Sequence, residues 1–383
     1  RSTGRHRYVG QLVAHLDALD YPRAKLDIKL VVEADDKETR AALRKLRLSA
    51  NYEIVVAPPG VPRTKPRALN IALDLARGSL LVVFDAEDQP EPGQLRRAAE
   101  IFAMAPPRVA CLQGRLAVDN IADSWLAHLF AVEYAVLFDV FNPGLAALGL
   151  PILLGGTSNH FRTEALRKVG GWDAWNVTED ADLGLRLARK GYEVEVLAES
   201  TYEEAPARLG AWVRQRRRWF KGWIQTFVTH SRKPRRFVRE VGLLRGAAAF
   251  SLLGGTLLGS LGGFAFALLL LHAILFENLL APSTPMEVAA STLWCFVGVT
   301  GLASALLPAL IGARRRGIRL SLRWVFLLPV RYLLLLYAAW GGLYDFIREP
   351  FYWAKTEHGL ARTSRRRTQT SSADSKPKGV ASP

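Results

Sequence analysis

What most constrains this chain is a contrast within it. Up to about residue 240 it alternates strand-like and helix-like segments, and beyond that it is dominated by long apolar stretches. Two of these, 247–276 and 288–311, are long enough to cross a bilayer as helices. In lipid every backbone N–H and C=O must be bonded inside the segment, so helix is the only form open to them. The loop between the two, ENLLAPSTPMEV, has no Lys or Arg, whereas ARRRGIRLSLR after the second is strongly basic. The positive-inside rule therefore puts the first half of the chain and this basic loop in the cytoplasm, at the inner (plasma) membrane. A third stretch, WVFLLPVRYLLLLYAAWGGLYDF, contains Pro329 and Arg331. If it spanned, the basic tail with Arg365, Arg366 and Arg367 would end outside, so charge predicts a re-entrant or interfacial third segment.

The formal net charge is +16, and much of it flanks the apolar stretches: Arg216–Arg218, Lys233 with Arg235 and Arg236, and Arg314–Arg316. This pattern implies contact with an anionic lipid bilayer. Nucleic acid is not the expected partner, since the basic residues do not lie on one soluble face interleaved with aromatics. Cys111 and Cys295 are the only two cysteines and have no metal spacing, which excludes a disulfide scaffold or zinc site and fits a reducing, cytosol-facing part. The amino-terminal RSTGRHRYVG has no apolar stretch and does not read as a signal peptide.

Residues 8–19 have helical spacing, with Val9, Leu12, Val13, Leu16 and Leu19 on one side. LDIKLVVEADD reads as a strand ending in acids, 65–76 as a helix closed by Gly78, and SLLVVFDAED as a second acid-terminated strand. RVACLQGRLAV, 108–118, is a third strand. Strands alternating with helices predict an α/β class with a mostly parallel sheet. Ligands bind such sheets at C-terminal strand ends, where both acidic clusters fall. Residues 123–150 predict a helix on the membrane surface, followed by a Gly-rich turn and a short helix in GGTSNHFRTEALRKVGGW. Thr178 is placed to cap a helix with Glu179 and Asp180 in its first turn. Residues 206–232, basic and Trp-rich, predict an interfacial amphipathic helix.

Four short motifs carry chemistry. Asp35 and Asp36 close the first strand; they could bind the base or ribose of a nucleotide or form a solvated acidic turn. Asp85, Glu87 and Asp88 in FDAEDQPEP could present oxygens to a hard cation such as Mg2+ or Mn2+. Thr178-Glu179-Asp180 could compensate a helix dipole or supply a general base at Asp180. In Gln215-Arg216-Arg217-Arg218-Trp219, Trp219 could stack on a sugar face and Arg218 could pair with a diphosphate. For the neighbouring Trp223 the preferred reading is interfacial anchoring.

Taken in order, Asp35-Asp36, Asp85-Ala86-Glu87, Thr178-Glu179-Asp180 and Gln215-x-x-Arg218-Trp219 resemble the signature of processive family-2 glycosyltransferases. That group includes cellulose synthase, hyaluronan synthase and mannan synthase. The resemblance covers roughly residues 8–360. It implies a glycosyltransferase-A domain over 1–205, an interfacial helix region over 206–240, transmembrane or interfacial helices over 241–347, a gating-loop-like segment over 348–362 and a disordered basic tail over 363–383. It implies a metal held by Asp85 and Glu87, with Asp180 as base and Glu179 beside it. Donor contacts would come from Asp35, Asp36, Lys65 in TKPRALN, Asp85 and Arg218, and acceptor contacts from Gln215, Trp219 and Thr178. The implied reaction moves a hexose, with inversion, from a UDP-glucose or GDP-mannose class nucleotide-sugar donor to a growing β-linked polysaccharide acceptor. Export or accessory subunits are possible partners.

Three departures stand out. Glu87 replaces the usual Asp and has Asp88 next to it. Only RSTGRHR precedes the first helix, where the family has an apolar strand, so the expectation is an amino-terminally truncated chain. In FYWAKTEHG, Lys355 precedes Thr356, the reverse of the family's gating order. The alternatives are a non-processive enzyme acting on a lipid-linked acceptor and an inactive membrane fragment.

Overall fold

The computed structural model describes residues 9–276, 280–321 and 323–351. The expectations for the segment before the first helix, for Lys355 and Thr356, and for the tail beyond 362 lie outside the described residues.

Helix α1, Val9–Asp17, buries Val9 and Leu16 as its spacing requires. Strand β1, Ile28–Glu33, ends in the acidic turn, where Asp36 caps α2, Lys37–Lys45. Its carboxylate accepts the Thr39 N–H at 3.1 Å and the Thr39 hydroxyl at 2.9 Å. Strand β2, Tyr52–Ala57, pairs with β1 in parallel and apart from the main sheet. Helix α3, Lys65–Leu75, starts with proline at its second residue, where the missing N–H costs nothing. Gly78 does not close it: the chain is already extended at Ala76, and Gly78 instead leaves room for the Leu80 carbonyl.

The main sheet is ordered β3-β6-β5-β7-β4, with β3 Leu80–Val83, β4 Gln89–Pro90, β5 Val109–Val118, β6 Asn159–Arg162 and β7 Glu193–Glu203. The expectation of a mostly parallel sheet is corrected. Only β5–β7 is parallel here, because β6 inserts antiparallel between β3 and β5, and β4 pairs antiparallel with β7. Helix α4, Gln94–Met104, packs on β5 and β7, and α7, Thr163–Lys168, follows β6. Helix α8, Glu179–Arg189, buries Leu183, Leu185 and Leu187. Leu183 and Leu187 join Val83, Cys111, Ile152, Phe161 and Leu166 in one core. Each such large side chain contributes about 1.5–3 kcal/mol on burial.

Helix α5, Trp125–Val136, passes through a π-turn, Leu137–Phe141, into α6, Asn142–Ala147. The apolar character read as a membrane-surface helix goes largely into packing: Leu126, Ala127, Phe130, Ala131 and Phe138 are buried in a core with Leu116 and Trp212. Helix α9, Leu209–Ser231, carries the Trp-rich stretch, and α10, Pro234–Val241, follows. Then come α11, Leu243–Phe276, α12, Pro285–Arg315, and α13, Arg323–Arg348. These last three, and 125–147, are long and apolar enough to cross a membrane by length and composition.

The third segment was expected to be re-entrant or interfacial, and only its re-entrant form is corrected. Helix α13 is continuous through Pro329, and Arg331 is neutralised by Glu133 of α5 at 2.7 Å. Its carboxyl-terminal half docks on α9. A side chain at Gly342 would meet the Arg217 carbonyl at 2.8 Å, and Asp345 pairs with Arg217 at 2.6 Å.

Candidate active site

A cavity of about 1300 Å3 runs from the strand side of the domain to α9 and on to Ser251–Thr256 of α11. Residues of β1 and β3 line it, and each of these strands pairs on one edge only among the described residues. Four of the sequence motifs contribute to its wall: Asp36, the Asp85–Asp88 loop, Thr178–Asp180, and Gln215 with Arg218 and Trp219.

Lys65, the first residue of α3, reaches across to the acidic loop. Its Nζ lies 2.5 Å from Asp85 Oδ1 and donates to the Gly156 carbonyl at 2.7 Å. Burial pushes the ammonium down, but Asp85 and Glu179 outweigh it and hold Lys65 above the ordinary lysine range.

Within FDAEDQPEP the carboxylates divide their work. Asp88 is turned back on its own loop, where its Oδ2 accepts the Asp85 N–H at 2.6 Å and the Thr157 hydroxyl. Asp88 is 1% exposed, and its Oδ1 has no hydrogen-bond partner among the described residues. Burial, then Asp85, Glu203 and Glu87, push its carboxyl far up. Glu203, at the end of β7, completes the acidic group; burial, Asp85 and Glu87 push it up to about 8. Glu203 lies outside the four sequence motifs; the signal that points to its strand is EVEV at the start of β7, which alternates as a strand should.

Among the described residues no group of three or more His, Cys, Asp or Glu is arranged to hold a metal. The donor set nevertheless fits a cation of the Mg2+ or Mn2+ kind, which takes one or two carboxylates and completes its shell with phosphate and water. Asp85, Glu87, Asp88 and Glu203 repel one another, and Asp88 has an unpartnered buried oxygen. One more positive charge would relieve both. Asp85 and Glu87, half-buried members of the same loop, are the ligand candidates.

Thr178 is the residue before α8, as the sequence predicted, but its side chain does not cap the helix. It packs on α9 instead. A Cβ built on Gly222 would stand 2.4 Å from Thr178 Oγ1, so glycine is what allows α8 and α9 to approach here. Replacing Gly222 by Ala is expected to cost about 1–3 kcal/mol through overpacking and to lower transfer by separating the helices. An unchanged thermal midpoint with full activity would show that the contact is dispensable.

Glu179 is 5% exposed, and burial and the Asp180 charge push it up to about 8. Burial also raises Asp180, opposed by the Ala181 N–H, which donates to its Oδ1 at 2.8 Å, and by Lys65 and Arg218. Burial lowers the Arg218 guanidinium, while Glu179, Asp180 and Asp85 raise it, so these carboxylates are its electrostatic neighbours. Gln215 is buried, with no hydrogen-bond partner at Oε1 among the described residues. Trp219 lies beside Phe130 and Trp223, with ring centroids 5.9 and 6.1 Å away.

The first motif is only half in place. Asp36 lines the cavity but is committed to Thr39; Asp35 pairs with Arg63 and is not among the lining residues.

The family model described as "Glycosyl transferase family group 2" matches residues 80–347. The chain is 30% identical over 227 residues to a beta-monoglucosyldiacylglycerol synthase of Synechocystis, covering 58% of this chain and 47% of that protein. It is 32% identical over 148 residues to probable glucomannan 4-beta-mannosyltransferase 7 of Oryza sativa subsp. japonica, covering 38% of this chain and 25% of that one. The chain thus spans half the length, or less, of these relatives. Among solved structures, mannosyltransferase PcManGT from Pyrobaculum calidifontis in complex with GDP-Man and Mn2+ aligns with a TM-score of 0.52. The alignment covers 88% of this chain and 84% of that one at 20% identity. That likeness shows the fold, an α/β glycosyltransferase-A domain.

Proposed function

Since the chain belongs to glycosyl transferase family group 2 and is a glycosyltransferase, we propose that it moves a hexose, with inversion, from a nucleoside diphosphate sugar to a saccharide hydroxyl. The observation that carries this reading is the meeting of Lys65–Asp85, Glu179–Asp180, Arg218 and Trp219 on one cavity.

In this reading the acceptor sugar rests on Trp219 and its hydroxyl gives a proton to Asp180. The hydroxyl oxygen bonds to the anomeric carbon as the bond to the diphosphate oxygen breaks. Lys65 and Arg218 meet the charge that develops on the departing diphosphate. When bound through Asp85 and Glu87, Mg2+ or Mn2+ supplies Lewis acidity at the same leaving group. Glu179, pushed up to about 8 by burial and the Asp180 charge, is largely protonated at neutral pH.

The acceptor we propose is the growing end of a β-linked polysaccharide, supported by the aromatic ring of Trp219 on the same cavity wall as Asp180. A second reading, one transfer to a lipid-borne hydroxyl, is favoured by the cavity's continuation onto Ser251, Leu252, Gly255 and Thr256 of α11. The test is a screen of labelled UDP-glucose and GDP-mannose in membranes containing the full-length protein, followed by product sizing. Long products support the first reading and a single sugar on an extractable lipid the second. Turnover of neither donor would overturn the donor assignment.

The pH profile of transfer follows from the acidic pair. Asp180 is a base only when ionised, and its pKa in the fold is raised, so transfer falls with decreasing pH through a value above the ordinary aspartate 3.8. Above about 8 Glu179 ionises as well. A second negative charge then faces the anionic donor, and the donor KM rises. A pH–rate profile with limbs at these places is expected; a flat profile across that range would contradict it.

We also propose a cytoplasmic site at the inner membrane, supported by Arg314–Arg316 at the end of α12. Protease cleavage of the loop after α12 in inverted vesicles, but not in right-side-out ones, is the expected result. The reverse pattern would refute this orientation.

A further inference from the structure

Resting on the reading of Trp219 as the acceptor platform, we propose that Arg216 is the positioning residue that holds that platform in place, clamped by Glu133. Arg216 occupies one of the two unspecified positions of Gln215-x-x-Arg218-Trp219 and is 3% exposed. Its guanidinium carbon lies over the Trp219 ring, 4.4 Å from the centroid, with Phe130 at 4.8 Å and Trp212 at 5.1 Å. The same plane is fixed edge-on by Glu133 of α5, whose two oxygens accept from Nη1 at 2.9 Å and Nη2 at 2.6 Å.

A planar fork can stack on rings and bind a carboxylate bidentately at once, and an ammonium cannot. Covering one indole face with a fixed cation leaves the other face as the stacking surface for a sugar. A buried charge pair contributes little net stability by itself. Its siting on the cavity wall together with Trp219 argues for a role in placing the ring. Arg331 of α13 also reaches Glu133, at 2.7 Å, but touches one oxygen that Arg216 already holds.

The test uses membranes with the full-length protein and endogenous acceptor, supplied with UDP-[14C]glucose and, separately, GDP-[14C]mannose. The readout is sugar transferred to product divided by free sugar released, a ratio independent of how much protein folds. Arg216→Lys is expected to lower this ratio about tenfold. In a Trp219→Ala background, where the ratio is already low, Arg216→Lys should change it by less than about twofold. Glu133→Gln should also lower the ratio, and it serves if Arg216→Lys does not accumulate. Arg331→Met should leave the ratio within about twofold, because both Glu133–Arg216 bonds remain. A full ratio in Arg216→Lys or Glu133→Gln, with a reduced one in Trp219→Ala, would overturn the positioning role. Equal, additive losses in the double variant would do the same. A full ratio in Trp219→Ala would instead refute the platform reading.

Discussion

Replacing Asp180 by Asn is expected to cut transfer by about 10²–10⁴-fold while donor affinity stays within about threefold. Asn is nearly isosteric, and its side-chain oxygen can still accept the Ala181 N–H that Asp180 Oδ1 now accepts at 2.8 Å. The start of α8 is therefore preserved, and what disappears is the basic oxygen. The neighbouring carboxyl serves as an internal control. Glu179 is pushed up to about 8, so at neutral pH it is largely protonated and Glu179→Gln mimics its resting form. That variant should lose far less transfer than Asp180→Asn. Donor affinity can be followed by equilibrium dialysis of UDP-glucose and GDP-mannose, and transfer by label incorporated. If Asp180→Asn keeps its transfer rate, Asp180 is not the base.

Chelation is expected to have the second large effect. EDTA should stop turnover, and Mn2+ or Mg2+ should restore it. The departing diphosphate concentrates negative charge beside a loop that is itself acidic. Burial and the charges of Asp85 and Glu87 already raise the carboxyls of Asp88 and Glu203. Lys65 is tied to Asp85 at 2.5 Å, so its charge is partly spent before any donor arrives. Asp85→Asn should weaken the metal dependence, raising the Mn2+ concentration needed for half-maximal turnover. Full turnover in EDTA would rule out the cation and leave Lys65 and Arg218 as the groups facing the diphosphate.

Much of this site was legible in the sequence because its residues stand where elements begin and end. Asp85 follows an apolar strand, Lys65 opens a helix, and Glu179 and Asp180 sit in a first turn, so short patterns located them. The sheet was less legible. Strand β6 is only four residues, Asn159–Arg162, with no apolar alternation, and it exists because β3 and β5 bracket it. Glu203 stands at the far end of β7, and no local signal links it to the loop at Asp85. The role of Thr178 depends on Gly222 far along the chain, so capping was the natural but wrong local inference for its hydroxyl. In α13 the expectation rested on the basic tail, which carries no information on helix continuity; the helix runs through Pro329, and Arg331 pairs with Glu133 of α5.

The proposed reaction is a single in-line displacement at the site formed by Asp180, Arg218 and Trp219. The most direct test is the anomeric configuration of the newly transferred sugar, read by NMR after turnover of an α-linked donor. A β linkage is expected, because one base acts and no protein nucleophile intervenes. An α linkage in the product would contradict it.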